Sequence, residues 1–161
     1  MGPSACGKST LGRDLARRMG AAFIEGDDLH LPHNLRAMAH GRPLTDGLRA
    51  PWLRRVALAA EAARRRGDVV IACSALRRSY RDLLRAHVGR LGFVFLDPPR
   101  EVLEARIAAR EGHFMKAGML ASQLATLEPP APPERVIRIA RAGGAEGAAR
   151  EAFMRIRAGR I

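Results

Sequence analysis

The feature that most constrains this chain is a glycine-rich stretch at its start, Gly2-Pro3-Ser4-Ala5-Cys6-Gly7-Lys8-Ser9-Thr10. It fits a pattern in which the backbone N–H groups of a loop hold a polyphosphate, a Lys reaches the outer phosphates and a hydroxyl binds Mg²⁺. Apolar residues then recur at Leu11, Leu15 and Met19, the spacing of an amphipathic helix, whose N-terminus favours an anion. The stretch therefore predicts a nucleotide phosphate site at the start of a helix.

A loop of this kind normally follows a buried strand, yet only Met1 precedes Gly2. We expect that the start codon was assigned too late or that the chain is a fragment, and a true variant is the third alternative. An accidental Gly-rich turn is a fourth interpretation, against which the downstream residues argue.

Apolar runs alternate with helical patterns after the loop. The predicted strands cover residues 21–25, 69–73, 92–96 and 136–139, and the predicted helices cover 32–39, 46–66, 77–88, 98–111, 119–127 and 145–157. Asp46 and Ser74 are the predicted N-terminal caps of the second and third of these helices. The alternation predicts a parallel sheet in one α/β domain spanning residues 1–161.

Charge and composition narrow the classes of function. The chain carries 28 basic and 16 acidic residues, a net charge of +12, which permits nucleic-acid binding, attraction to small anions, or compositional drift. The arginines are scattered without the interleaved aromatic residues that a base-stacking surface needs, so we expect no nucleic-acid partner. Two cysteines and no long apolar run predict a cytoplasmic protein without a membrane partner.

Acidic residues follow the first predicted strand, at Glu25, Asp27 and Asp28. Carboxylates at the C-terminal end of a strand lie beside the ligand site in open α/β sheets. One carboxylate can hold Mg²⁺ through water while another orients or deprotonates an attacking hydroxyl. A solvated acidic turn is the alternative interpretation.

Several further blocks of sequence resemble the gluconokinase family. They are Gly26-Asp27-x-Leu29-His30, Pro43-Leu44-Thr45-Asp46, Cys73-Ser74-Ala75-Leu76-Arg77, and the stretch from Arg106 to Pro129. The resemblance implies a three-layer P-loop kinase fold with a parallel sheet in the strand order 2-3-1-4-5, whose first strand this chain lacks. It also implies transfer of the ATP γ-phosphoryl group to O6 of D-gluconate, giving 6-phosphogluconate and ADP.

The resemblance assigns roles to individual residues. The ATP phosphates would lie on residues 2–10, with Lys8 on the β and γ groups and with Ser9 and Glu25 on the Mg²⁺ side. Asp27 would receive or orient the substrate hydroxyl. Arg106 would lie near adenine, and Arg110 would close on the phosphates within a mobile lid around residues 106–128, although a solvated Arg stripe is the alternative.

Gluconate carries a carboxylate and five hydroxyls, so its site needs a cation and several polar groups. The residues expected to bind it are Asp27, His30, Arg49, Arg81, His113 and Gln123. Each of the last five has a purely structural alternative; Arg81, for example, could pair with Asp82 or cap a helix. Trp52 is assigned to the core.

Two departures from the family pattern carry expectations. Ala5 replaces a common Gly, which is tolerable if its φ is negative. Leu48 stands where an acid usually precedes Arg49, so substrate affinity would fall if that acid held Arg49 in place.

The rival functions are a P-loop kinase for another sugar acid or polyol and, remotely, an Arg-rich nucleic-acid-binding protein with a relic loop. A homodimer stays open.

Overall fold

Short parallel strands alternate with helices in the computed structural model, which describes residues 1–109, 117–140 and 145–161. The strands are β1 (Ala22–Glu25), β2 (Val69–Ala72), β3 (Phe93–Leu96) and β4 (Val136–Ile139). The helices are α1 (Lys8–Met19), α2 (Pro32–Ala39), α3 (Asp46–Arg64), α4 (Arg78–His87), α5 (Arg100–Ala108), α6 (Ala117–Thr126) and α7 (Ala145–Arg157). The predicted order of elements is confirmed.

Three local details differ from the prediction. Thr45, not Asp46, caps α3, since its hydroxyl accepts a hydrogen bond from the Leu48 N–H. Ser74 does not cap α4, because irregular chain separates it from the helix and Arg77 occupies the cap position. A 3₁₀ turn, Gly26–Leu29, directly follows β1 and was not predicted.

The strands form two parallel pairs, β1 with β2 and β3 with β4. These are the pairs 2-3 and 4-5 of the expected strand order. Backbone of the first two residues lies between them: the Leu96 N–H donates to the Met1 carbonyl at 2.9 Å, and the Gly2 N–H donates to the Ser74 carbonyl at 3.1 Å. The phosphate loop therefore starts between the C-terminal ends of β2 and β3.

Side chains on opposite faces of the strands enter two separate cores, as the two-residue period of a strand requires. On β4, Ile137 packs in the cluster that includes Leu11 and Leu15 of α1 and Ala152 of α7. Its neighbour Val136 packs against the cluster formed mainly by α3 and α4. Helices thus cover both faces of the strands, which gives the three-layer arrangement.

A small third cluster joins α6 to the region between α2 and α3. It consists of Met38, Leu44 and Met119, with Leu48 packed against it. Its position anchors α6 beside the segment that leads into α3. Over the described ranges, no helix combines the length and the apolar character that crossing a bilayer requires.

Candidate active site

The glycine-rich loop ends at the N-terminus of α1, as its sequence predicts. Gly7 is the N-cap, with φ at +96°, in the left-handed region that favours glycine. Lys8, Ser9 and Thr10 form the first turn of the helix, where backbone N–H groups have no carbonyl partner within the helix. Those N–H groups and the helix dipole create an anion site at this end of α1.

Ala5 adopts the backbone conformation that its side chain disfavours. Its φ is +62°, so the condition under which Ala would be tolerated without strain, a negative φ, is not met. The strain costs about 1–2 kcal/mol for a residue with a Cβ. The loop tolerates it because Ala5 is buried within the core beside α1, where its methyl group is packed.

Side chains of α5 and α6 hold the loop from outside. Arg106 donates from a terminal guanidinium nitrogen to the Ala5 carbonyl at 3.2 Å. Gln123 Oε1 accepts the Ser4 N–H at 2.6 Å, and both residues are buried. Gln123, expected at the sugar acid, thus contacts the phosphate loop. Lys8 Nζ donates to the Pro3 carbonyl at 2.8 Å, so its ammonium group lies back over the loop.

The 3₁₀ turn after β1 presents the predicted acid, and it is fixed from two sides. A Cβ at Gly26 would lie 2.5 Å from the Ala72 carbonyl oxygen, so β2 leaves no room for a side chain. From α3, Trp52 Nε1 donates to the Gly26 carbonyl at 2.7 Å. The next residue, Asp27, has a side chain that is 51% exposed. The turn therefore holds a solvent-accessible carboxylate on a rigid support.

His30 lies behind this carboxylate. Its ring stacks on Trp52 with centroids 4.2 Å apart, and its Nε2 is 3.9 Å from Asp27 Oδ1, beyond hydrogen-bond range. Burial lowers the pKa of His30. The negative charge of Asp27 raises this pKa, and the positive charge of Arg49 lowers it. His30 is accordingly neutral at pH 7, and its buried Nδ1 has no partner among the described residues.

The loop and the acid turn meet at one edge of the sheet. Cys73 directly follows β2, and burial raises the pKa of its thiol to about 11. The Asp27 charge raises that pKa further and the Lys8 charge lowers it, because both groups lie near the thiol. The Gly2 N–H donates to the carbonyl of Ser74 just after β2, and Gly26 lies against the carbonyl of Ala72 at the end of β2, so the loop and the acid turn share the edge at which α/β proteins bind ligands.

Arg49 supplies positive charge near Asp27 and His30. It lies on α3 with a side chain that is 12% exposed, and its NH1 donates to the Tyr80 hydroxyl at 3.2 Å. Asp46 lies 3.9 Å from the same nitrogen. Leu48, which stands where an acid is usual, packs against Met38, Leu44 and Met119 in the third cluster.

Arg81 has a structural position instead of the expected place at the substrate. It forms a bidentate pair with Glu134, Nε to Oε2 at 2.8 Å and NH2 to Oε1 at 2.7 Å. Its NH1 donates to the carbonyls of Ala75 and Leu76. The Arg81 side chain is 1% exposed and that of Glu134 is 4% exposed. Because all three Arg81 nitrogens donate to protein groups, we no longer count Arg81 among the residues expected to bind the substrate.

Of the remaining predicted residues, two are described by the structure and two are not. Ser9 is half-buried in the first turn of α1, and Glu25 ends β1 with a side chain that is 14% exposed, 3.9 Å from Arg13 NH2. A hydroxyl and a carboxylate suit Mg²⁺, which keeps several waters and takes few protein ligands. Arg110 and His113 lie outside the described residues. The same holds for the whole stretch 110–116 of the predicted lid.

Sequence reasoning missed two contributors to the site and the buried partner of Arg81. Tyr80 contacts Arg49, and the Trp52 indole N–H holds the acid turn, although Trp52 was assigned only to the core. Glu134 neutralises Arg81. The chain has one Tyr and one Trp, Tyr80 and Trp52. A buried hydroxyl or indole N–H needs a hydrogen-bond partner, and this need was the sequence signal that could have pointed to their contacts.

The chain is similar in sequence and in structure to known proteins. A family model described as an AAA domain matches residues 1–130. A gluconokinase of Gluconobacter oxydans is 48% identical over 143 residues, which cover 86% of this chain and 79% of that protein. The solved structure of a gluconokinase from Sinorhizobium meliloti is 46% identical, with a TM-score of 0.84 over 96% of this chain and 87% of that one. A sugar kinase from Janibacter sp. HTCC2649 is 42% identical, with a TM-score of 0.92 over 98% and 91%.

Proposed function

The chain belongs to the gluconokinase family, and we propose from this that it transfers the γ-phosphoryl group of ATP to O6 of D-gluconate. The products are 6-phosphogluconate and ADP. The observation that supports the proposal in this chain is that the phosphate loop and the acid turn both lie against the C-terminal end of β2. The loop would carry the phosphates, and Asp27 in the turn would face the acceptor.

The loop binds the phosphates of ATP. Backbone N–H groups of residues 5–10 surround them, and Lys8 leaves the Pro3 carbonyl to reach the β and γ groups. Ser9 and Glu25 would hold Mg²⁺, and the metal would supply positive charge to the phosphate oxygens. Arg106 and Gln123 hold the loop in shape through Ala5 and Ser4.

Asp27 acts on the acceptor hydroxyl. As the bond from O6 to the γ phosphorus forms and the bond from that phosphorus to the β-phosphate oxygen breaks, the O6 proton passes to the Asp27 carboxylate. Phosphoryl transfer depends more on alignment than on a strong base, so the rigid 3₁₀ turn matters as much as the carboxylate itself. Neutral His30 stacks behind it and adds no competing positive charge.

Arg49 is the cation that we propose for the sugar-acid carboxylate. Within the described ranges only its NH1 makes a hydrogen bond, to the Tyr80 hydroxyl, whereas Arg81 is engaged by Glu134. The roles of Arg110 and His113, and the lid around residues 106–128, stay predictions. A cytoplasmic location, the absence of a nucleic-acid partner and a homodimer also stay predictions.

A coupled assay of ADP release across a panel of sugar acids tests the proposal. We expect D-gluconate to give the highest kcat/KM. Equal or faster turnover of another sugar acid or of a polyol would refute the assignment of gluconate but keep the kinase. Salt-sensitive binding to DNA or RNA without stabilisation by ATP would instead favour the nucleic-acid alternative.

A further inference from the structure

Arg49 and Arg81, the two arginines predicted to bind the substrate, differ in their hydrogen bonds to the protein. All three nitrogens of Arg81 donate to protein oxygens. For Arg49, the hydrogen bond found within the described ranges is the one from NH1 to the Tyr80 hydroxyl, at 3.2 Å. Its Nε and NH2 groups are therefore the ones that an acceptor carboxylate can engage as a bidentate pair.

The Tyr80 hydroxyl stands between a cation and an anion. It accepts from Arg49 and donates to Asp46 Oδ1. The other Asp46 oxygen accepts from Arg77 NH1 at 2.6 Å. Asp46 and Arg49 are 3.9 Å apart, close enough to attract but too far to hydrogen-bond. Because the Asp46 side chain is 57% exposed, it has room to turn towards Arg49 if the hydroxyl is removed.

We propose that Tyr80 is a positioning residue that keeps Arg49 available for the carboxylate of the sugar acid. It holds the guanidinium through a neutral hydroxyl and keeps Asp46 at 3.9 Å from it, short of a direct hydrogen bond. The inference rests on the proposed function, since it names what Arg49 receives.

Packing fixes the hydroxyl in this place. Tyr80 lies on α4, is 7% exposed, and packs in the cluster that includes Trp52 and Leu84. Burial raises the pKa of Tyr80, and the hydrogen bond to Asp46 raises it further, so the phenol stays protonated at pH 7 and donates to that carboxylate. A direct pair between Asp46 and Arg49 would neutralise the guanidinium and compete with any incoming carboxylate.

The first experiment is steady-state kinetics of Tyr80→Phe, which removes the hydroxyl and keeps the ring in the core. We expect the KM for gluconate to rise about tenfold, as for loss of one charge-assisted interaction, with the KM for ATP unchanged. A KM for gluconate that stays the same, or that rises together with the KM for ATP, would overturn the proposal.

A rescue variant separates positioning from packing. If Asp46 captures Arg49 in Tyr80→Phe, then adding Asp46→Asn removes the competing charge and should restore most of the gluconate affinity. Asp82→Asn in the same background is the matched control: Asp82 is 54% exposed and pairs with Arg78 and Arg85. Equal effects of the two Asn changes would show that Tyr80 acts only through packing.

A second readout needs no turnover. Tyr80 is the only tyrosine, so its ionisation can be followed by ultraviolet absorbance. Asp46→Asn should lower the Tyr80 pKa and Asp82→Asn should not; an unchanged Tyr80 pKa in the first variant would overturn the arrangement itself. A wild-type protein that fails to phosphorylate gluconate refutes the proposed function, and one that prefers an uncharged polyol refutes the assignment of Arg49 as well.

Discussion

Replacing Glu134 by Gln should destabilise the fold by about 3 kcal/mol, because it leaves the Arg81 guanidinium buried without its counter-ion. The structure sets this magnitude. The Arg81 side chain is 1% exposed and its two bonds to the carboxylate are 2.7 and 2.8 Å long. Breaking a buried pair costs about 3–5 kcal/mol, and Gln keeps one of the two acceptor oxygens, which favours the lower end. For a chain of this size the melting temperature should fall by about 6–12 °C.

The surface pair of Arg64 and Glu61 provides a control with the same geometry. Arg64 Nε and NH2 donate to the two Glu61 oxygens, each at 2.9 Å, but the side chains are 43% and 29% exposed. Glu61→Gln should therefore change stability little or not at all. Both substitutions remove a bidentate carboxylate from an arginine, but Glu134 also accepts from Arg85 at 3.0 Å, so the contrast measures burial together with this second partner.

Urea unfolding followed by the fluorescence of Trp52, the only tryptophan, measures both variants. Equal midpoint shifts for Glu134→Gln and Glu61→Gln would refute the reasoning. The gluconate KM of folded Glu134→Gln should match the wild type; a specific rise would return Arg81 to the substrate site.

The same pair predicts a dependence on pH. The hydrogen bond from Arg81, with further help from Arg85, lowers the pKa of Glu134 from 4.5 to about 2. A carboxyl group whose pKa is depressed in the folded state stabilises that state above its unfolded pKa. The stability difference between wild type and Glu134→Gln should accordingly be complete above pH 4.5 and shrink as the pH falls from 4.5 towards 2.

Three other substitutions test the site. Asp27→Asn should lower kcat by about 100-fold or more with the KM for ATP unchanged, and near-normal kcat in the coupled assay would contradict its role. Gln123→Met leaves the buried Ser4 N–H without its acceptor, at a cost of about 1–3 kcal/mol. We therefore expect weaker binding of ATP in calorimetry, and an effect confined to the binding of gluconate would contradict this. Ala5→Gly relieves about 1–2 kcal/mol of strain at φ +62° but loses a buried methyl group, about 0.8 kcal/mol, and adds the entropy cost of Gly, about 0.5–1 kcal/mol, so we expect little net change in thermal unfolding; a large shift of the melting temperature would count against it.

Local sequence signals predicted the elements well because burial patterns are encoded over short distances, whereas both predicted N-caps were wrong. The continuous apolar run at β2 and the residues around α4 specify their structures with little help from elsewhere. Adjacent signals were harder to separate. Thr45 and Asp46 are both good N-caps, and only the position of the Leu48 N–H decides between them.

The site could be predicted as far as its motifs reach. Lys8 and Asp27 lie in contiguous patterns, and the rule that carboxyl ends of parallel strands meet at one edge brings them together. Arg81 was misassigned because its partner Glu134 lies 53 positions away and approaches only when β4 pairs with β3. Gln123 is likewise 119 positions from Ser4, so its contact with the loop depends on where α6 packs.

The two ends of the acceptor site differ in how much redesign they tolerate. Gly26 has the Ala72 carbonyl on one side and the Trp52 indole N–H on the other, so a mutant library that varies the acid turn would mostly yield misfolded or misaligned enzymes. Arg49 is held through one side-chain hydroxyl, and its neighbour Asp46 is half exposed. A search for kinases that accept new substrates should therefore keep residues 25–30 and randomise the surroundings of Arg49, where the chain can change which head group it selects without moving the hydroxyl that it phosphorylates.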